Sequence, residues 1–287
     1  MQRKALFPYF QYNPLQIFYS GKTPAALYAR LKWLHQEETS TWRNDFQEAV
    51  NALFSGQYAN GSWNNSLVHT IHKLFGLHLT VRHKDEQIEK GLEWLLSQEV
   101  FFEDMKISRA QSEKVSVRDL QSLPFSGGCF DHFAKGAVLF LATIFGQEND
   151  SRVIRVYEML RIMGEKRQGR WCTWSCSNNI LRAFAVHPEY AESRVIRMYM
   201  TRLAEMQRPD GDWPGQIPYY QTVNALGHLD CAQSDALLKK AFLSLQEKQN
   251  KDGTWGRTQK EWNTFLIVHT IKRKSHLLSM EKIKGSP

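Results

Sequence analysis

The chain has 287 residues, a formal charge of +8 and a hydrophobic share of 42%, which is enough length and apolar content for one large core rather than two bodies. No apolar run approaches the ~18 residues that cross a bilayer, so no transmembrane segment is expected. The basic residues are scattered along helical faces rather than interleaved with aromatics in one groove, which argues against a nucleic-acid partner.

Residues 1–14 pair Arg3 and Lys4 with Phe, Pro, Tyr and Gln and show no continuous apolar stretch or cleavage site, so they do not read as a secretion signal. An N-terminal extension of about 1–23 leads to a helix over Ala25 to Gln36. Gly61-Ser62-Trp63 then introduces a turn that returns as Gly127-Gly128-Cys129, Gly169-Arg170-Trp171, Gly211-Asp212-Trp213 and Gly253-Thr254-Trp255. The last four copies are spaced by 42 residues, and the first lies one such interval plus 24 residues upstream. Self-similarity at this period marks stacked supersecondary units. The extra residues fall in an inserted loop of about 99–126, which contains Glu103-Asp104 and the polar stretch Arg109 to Asp119; it reads either as a lid over a cavity or as a loop without a role.

Each unit opens with an amphipathic helix. Ser151 to Tyr157 recurs as Ser193 to Tyr199, and Ile196, Tyr199, Leu203 and Met206 share one face, as do Leu238, Ala241, Phe242 and Leu245. Ser193 and Asp235 are the expected N-caps, and Pro209-Asp210-Gly211 and Asp252-Gly253 the expected stops. A second apolar segment follows each turn, at Ile180 to Phe184, Thr222 to Leu226 and Thr264 to Val268, and Leu67 to Ile71 is nearly repeated by Ile267 to Ile271. No run alternates with period two. The chain is therefore expected to be all-α, built of helical hairpins of about 42 residues, with a basic group at its end made of Lys272, Arg273, Lys274, Lys282 and Lys284 that reads as solvated surface.

Gln57, Gln207 and Gln249 each stand four residues before the Gly of a Gly-x-Trp turn, while Glu165 replaces the Gln in one copy and the copy at Gly127 lacks both Gln and Trp. This pattern resembles the QW repeat of the squalene-hopene cyclase and protein prenyltransferase superfamily over roughly residues 41 to 270. Gly211 to Gly215 followed by Pro218 to Leu226 looks like the repeat of the prenyltransferase β-subunit. The resemblance implies an α/α toroid (barrel) of about six helical hairpins, with inner helices around a central cavity. It also implies an isoprenoid or other hydrophobic small molecule as ligand, possibly carrying a diphosphate, which the net positive charge would attract; peripheral contact with a membrane is compatible with it.

Ligands of such a ring are expected where inner helices begin. Positions there related by the period are Lys135, Ser177, Tyr219 and Glu261, then Gly136, Asn178, Tyr220 and Trp262, then Ala137, Asn179, Gln221 and Asn263. The candidate ligand-binding residues are Phe133, Trp174, Asn178, Tyr219, Tyr220 and Trp262, whose aromatic faces suit an isoprenoid chain or a carbocation, although packing between helices uses the same residue types. The candidate catalytic groups are Asp131, His132 and Glu261. Neither Asp-x-Asp-Asp nor Asp-Asp-x-x-Asp occurs, so the acid of a protonating cyclase and the magnesium site of an ionising synthase both lack their usual residues. His69 with His72, and Cys172 with Cys176, have helical-face spacing but no evident third ligand. Asp230-Cys231 beside His228 departs from the prenyltransferase zinc order, as does Asp131-His132 after Cys129, so neither a metal nor a cofactor is expected. Four cysteines without scaffold spacing make a reducing cytoplasm the default location. Three readings follow: a cyclase- or prenyltransferase-like enzyme with non-standard catalytic residues, a noncatalytic toroid for a hydrophobic ligand or protein partner, and a carbohydrate-active toroid with paired acids. The isoprenoid-related reading is preferred.

Overall fold

The computed structural model describes residues 9–279 apart from 82, 103–115 and 117. Glu103-Asp104, Lys282 and Lys284 therefore lie outside the described residues. Helices α1 (Pro24–Lys32), α2 (Ser40–Phe54), α3 (Leu67–Thr80), α4 (Glu86–Leu96) and the short α5 (Glu99–Phe102) precede the insertion. After it come α6 (Phe130–Ile144), α7 (Ser151–Lys166), α8 (Trp174–Phe184), α9 (Arg194–Met206), α10 (Tyr219–Leu226), α11 (Ala232–Glu247), α12 (Lys260–Arg273) and α13 (His276–Ser279). Among the described residues no strand forms beyond one isolated bridge between Gln57 and Trp63.

The six helices α1, α3, α6, α8, α10 and α12 each pack on the next, and α12 returns to α1, so they form a closed inner ring. Residues 176–184 of α8 are all buried, because an inner helix meets two ring neighbours, outer helices and the axis. The outer α9 instead buries one stripe, Val195, Ile196, Tyr199, Met200 and Leu203. The chain is thus an α/α toroid. Helix α1 ends four residues short of its expected Gln36, where the chain turns through His35 at a φ of 52°.

The Gly-x-Trp turns fasten this ring in two directions. Each buried indole N–H donates to a carbonyl near the end of the outer helix of its own unit: Trp63 to Ser55 (3.0 Å), Trp171 to Leu160 (2.9 Å), Trp213 to Leu203 (2.8 Å) and Trp255 to Leu245 (2.8 Å). Ser55, Leu203 and Leu245 lie in the last turns, which have too few intrahelical donors, whereas Leu160 lies six residues before the end of α7. Trp213→Phe is therefore expected to destabilise the protein by about 1–3 kcal/mol, because the buried Leu203 carbonyl loses its donor and a small void opens; urea unfolding checks it.

The amide and glycine reach sideways. Gln207 donates to Gly211 O (3.1 Å) and to Leu237 O (3.0 Å) of the next outer helix, α11. Gly211 itself lies so close to α11 that a Cβ would sit 1.9 Å from Lys240 O. In the last unit residues 12–13 stand where the next outer helix stands in the others. Gln249 donates to Tyr12 O (2.9 Å) and accepts from Tyr12 N (3.0 Å), while a Cβ on Gly253 would meet Asn13 O at 2.3 Å. Where Glu165 replaces Gln, its carboxylate pairs with Arg161 (2.8 Å), and Arg202 of the next outer helix donates to Gln168 O (2.6 Å) instead.

Two sequence expectations change. Neither Ser193 nor Asp235 caps its helix: Ser193 stands at the N-cap without a capping bond, and α11 begins three residues before Asp235, whose carboxylate meets Lys274 at 3.0 Å. The copy at Gly127 also lacks the left-handed glycine that Gly61, Gly169, Gly211 and Gly253 share. With neither Gln nor Trp to hold that bend, the chain arriving from the insertion runs straight into α6, with Cys129 as N-cap.

Candidate ligand-binding site

The N-terminal end of the inner ring is filled by the tail of the insertion. Leu123, Phe125 and Ser126 are buried, and Phe125 packs edge-on against Phe133 (5.9 Å) and Phe140 (5.8 Å). Trp262 Nε1 donates to Leu123 O (2.9 Å), Ser126 N donates to Asn179 Oδ1 (2.7 Å), and Ser126 Oγ donates to Asn178 Oδ1 (3.0 Å). Residues 118–126 are therefore a plug seated among the inner helices.

This plug explains where the expected site residues fall. Phe133 and Asn178 hold the plug, and Asn178 also donates to Thr222 Oγ1 (2.9 Å). Tyr219 faces outward, donating to Ala241 O (2.9 Å) with the Lys248 ammonium 4.5 Å above its ring, and Tyr220 packs edge-on to it. Trp174 lies beside Tyr199. Asp131 is ion-paired with the buried Lys135, which also donates to Val100 O (2.6 Å). Glu261 accepts from Thr23 Oγ1 (2.5 Å), and His132 Nδ1 lies 2.7 Å from Cys129 Sγ. Of the nine, only Trp262 borders a cavity on the axis.

Below the plug an axial cavity of about 240 Å³ touches all six inner helices. Its wall includes Phe75, His78, Phe140, Arg182, Asn224, His228, Trp262, Phe265, His269 and Arg273, and no carboxylate among the described residues. It shares Phe75, Leu79 and Trp262 with a cavity of about 670 Å³ between α1, α2 and α3. At the opposite end it shares Val186, His228 and Arg273 with one of about 560 Å³ near Arg197 and Asp230.

The centre of this arrangement is a column of residues one period apart. Phe140, Arg182, Asn224 and Leu266 occupy the same place in four successive units, and they touch in sequence. The Arg182 guanidinium lies 4.9 Å over the Phe140 ring and donates to Asn224 Oδ1, and Asn224 Nδ2 donates to Leu266 O (3.0 Å). Arg182 is 5% exposed and, among the described residues, has no salt-bridge partner and no acceptor for its Nε. Burial, with Arg273 beside it, pushes its pKa down to about 9, so it stays charged at neutral pH. His228 is stacked on His269 at 5.2 Å. Burial, then Arg182, His269 and Arg273, hold His228 well below the usual imidazole range. A buried cation without a carboxylate is costly unless an anion reaches it.

A depressed histidine gives stability that is present above its unfolded pKa, near 6.5, and is lost as pH falls, because the unfolded chain then binds the extra proton. Burial lowers His72 and His187 as well. Stability is therefore expected to fall by about 1.4 kcal/mol per pH unit for His228 alone between pH 6.5 and 5. Thermal melts over that range check it, and an anion bound beside His228 reduces the loss.

The thiols also come together. Cys129, Cys172 and Cys176 place their sulfurs within 4.8 Å of one another. The sequence pairs Cys172 with Cys176 and shows no third partner; the fold supplies it from the preceding unit. Hydrogen bonds from Cys129, His132 and Thr173 hold the Cys176 thiol far below the usual thiol range, against the opposing effect of burial.

Solved structures share this all-helical fold. The type II terpene cyclase MstE from Scytonema, in a variant complexed with its substrate geranylgeranyl dihydroxybenzoate, aligns with a TM-score of 0.55 at 15% identity over 89% of this chain and 88% of that one. Another variant of the same cyclase, complexed with the product merosterolic acid A, gives 0.56 at 16% identity over 89% and 87%. A protein from Actinoplanes gives 0.56 at 16% identity, covering 90% of each chain. No protein-family model matches the sequence, and no curated protein does.

Proposed function

We propose that this chain is a terpene-cyclase-like toroid that binds an isoprenoid whose head is anionic, a diphosphate or a carboxylate. The observation that carries this reading is Arg182: a guanidinium buried on the ring axis without an acid partner among the described residues, with Arg273 and the three imidazoles of His78, His228 and His269 on the same cavity wall. An anion would satisfy it with short charge-assisted hydrogen bonds. The aromatic wall of Phe75, Phe140, Trp262 and Phe265 suits the unsaturated tail. About 240 Å³ accommodates only the head and the first part of a chain, so the tail continues past Phe75 and Trp262 into the larger cavity between α1, α2 and α3.

The same wall argues for binding over protonation of an alkene. That step requires a carboxylic acid aimed at the double bond, and the two acids singled out by sequence are engaged elsewhere, Asp131 with Lys135 and Glu261 with Thr23. Titration with farnesyl and geranylgeranyl diphosphate, against the matching alcohols, tests the proposal. The diphosphates are expected to bind at least about 100-fold more tightly. Equal affinity for alcohol and diphosphate, or no binding of either, sinks it. Mass spectrometry of the same incubations reads turnover.

A further inference from the structure

The one unit that has lost its indole places three thiols and an imidazole at the same junction. Cys129 stands at the N-cap of α6, in the position that Trp171, Trp213 and Trp255 hold in later units. His132 follows in the first turn of the same helix and is buried. Cys172 precedes Thr173, the N-cap of α8, and Cys176 lies in the first turn of α8. Helices α6 and α8 are neighbours in the ring, so two short ligand pairs, Cys-x-x-His and Cys-x-x-x-Cys, face each other. We propose that Cys129, His132, Cys172 and Cys176 bind a zinc ion that fastens the start of α6 to the start of α8.

The geometry fits a tetrahedral thiolate site. The Cys129 and Cys176 sulfurs are 3.6 Å apart, against about 3.8 Å for two sulfurs bound at 2.3 Å to one tetrahedral centre. A disulfide requires about 2.05 Å, and pairing any two of the thiols would leave the third and the imidazole unexplained. The Cys129 backbone N–H donates to Cys176 Sγ at 3.4 Å, a contact that favours thiolate over thiol. Gly128 makes this approach possible, since a Cβ there would lie 2.9 Å from Cys176 Sγ. The thiols stand at the N-termini of α6 and α8, where the helix dipoles stabilise negative charge. The three thiols converge, and the His132 Nδ1, now 2.7 Å from Cys129 Sγ, would turn out to about 3.5 Å to bind as the fourth donor, closing the coordination sphere and making the site structural rather than catalytic. It also lies apart from the axial cavity, with which it shares no lining residue.

The test measures metal and not turnover. Chain purified under reducing conditions without chelator is expected to carry about one zinc per molecule, released by a thiol-blocking mercurial. Cobalt substitution is expected to give the visible bands of a tetrahedral ion together with thiolate charge transfer. Cys172→Ser, at an exposed side chain, is expected to weaken zinc binding at least about 10-fold and to keep its helical fold, so it decides the matter if Cys176→Ser fails to fold. Chelation is expected to lower the melting temperature of the wild type by roughly 5–10 °C and to leave that of a Cys129→Ser, Cys172→Ser double variant unmoved. Reduced chain that binds under about a tenth of an equivalent of zinc or cobalt, a Cys129–Cys176 disulfide in the reduced preparation, or a full equivalent of zinc retained by the double variant would each overturn the assignment.

Discussion

Arg182→Met is expected to weaken binding of an isoprenyl diphosphate at least about 100-fold while leaving the melting temperature within a few degrees of wild type. The two halves of this result come from one cause. Arg182 is a charged side chain in a nearly dry position, with Phe140 under it, Asn224 beside it and no carboxylate partner among the described residues. Its desolvation penalty is unrelieved in the free protein, so an unbranched thioether of similar length removes a cost as well as a hydrogen bond. What Met cannot do is hold an anion. If the guanidinium instead serves only the fold, the variant will melt lower by the several kcal/mol that accompany a broken buried network, and the diphosphate will bind as before. Asn224 Oδ1 loses its donor in this variant, but its Nδ2 keeps the bonds to Leu266 O and Thr270 Oγ1 that hold the amide in place.

Gly211→Ala is expected to be among the most damaging single-methyl changes available in this chain, costing at least about 3–5 kcal/mol. Two penalties combine. The backbone is left-handed there, with a φ of 82°, which costs an L-residue about 1–2 kcal/mol, and the new carbon would fall 1.9 Å from the Lys240 carbonyl. That carbonyl is part of α11 and cannot rotate away, so the neighbouring hairpin must move. Gly56→Ala provides the control. Its φ of 75° carries the same conformational penalty, but no atom lies within 4 Å of the added carbon, so a loss near 1 kcal/mol is expected. Chemical denaturation of the two variants separates them, and equal losses would mean that the contact with the next hairpin contributes nothing.

The architecture was legible because its determinants are local and repeated. A left-handed Gly, an indole two residues later and a Gln four before are each tied to one function in the turn, and recurrence at 42 residues turns weak single signals into a strong one. The ligand site was less legible because it is a product of ring closure. Sequence reasoning looked to the starts of the inner helices, and there the chain inserts residues 118–126, so Phe133 and Asn178 serve the plug. The cavity lies two turns deeper. A signal did exist in the register of Phe140, Arg182, Asn224 and Leu266, where a charged residue interrupts an apolar column, and Arg182 sits in the middle of the apolar run Ile180 to Phe184. The thiol cluster was similarly within reach. Cys129 and Cys172 are one period plus one residue apart, and in a stacked array such residues face each other. The sequence marks His228 only by its nearness to Asp230-Cys231, whereas its setting depends on Arg182 and Arg273 arriving from two other hairpins.

The seating of Tyr12 and Asn13 against the last turn has a kinetic consequence. The other Gly-x-Trp turns join consecutive hairpins and can form as they emerge from the ribosome, whereas this one, like the contact of α12 with α1, brings distant segments together, 237 residues apart at Tyr12 and Gln249. Closing so long a loop is entropically slow, so maturation is expected to proceed through an open horseshoe with its first segment undocked. Until the final repeat is synthesised, the greasy flank of the opening hairpin has no cover, and that interval is when the nascent chain is most exposed to aggregation or to a chaperone.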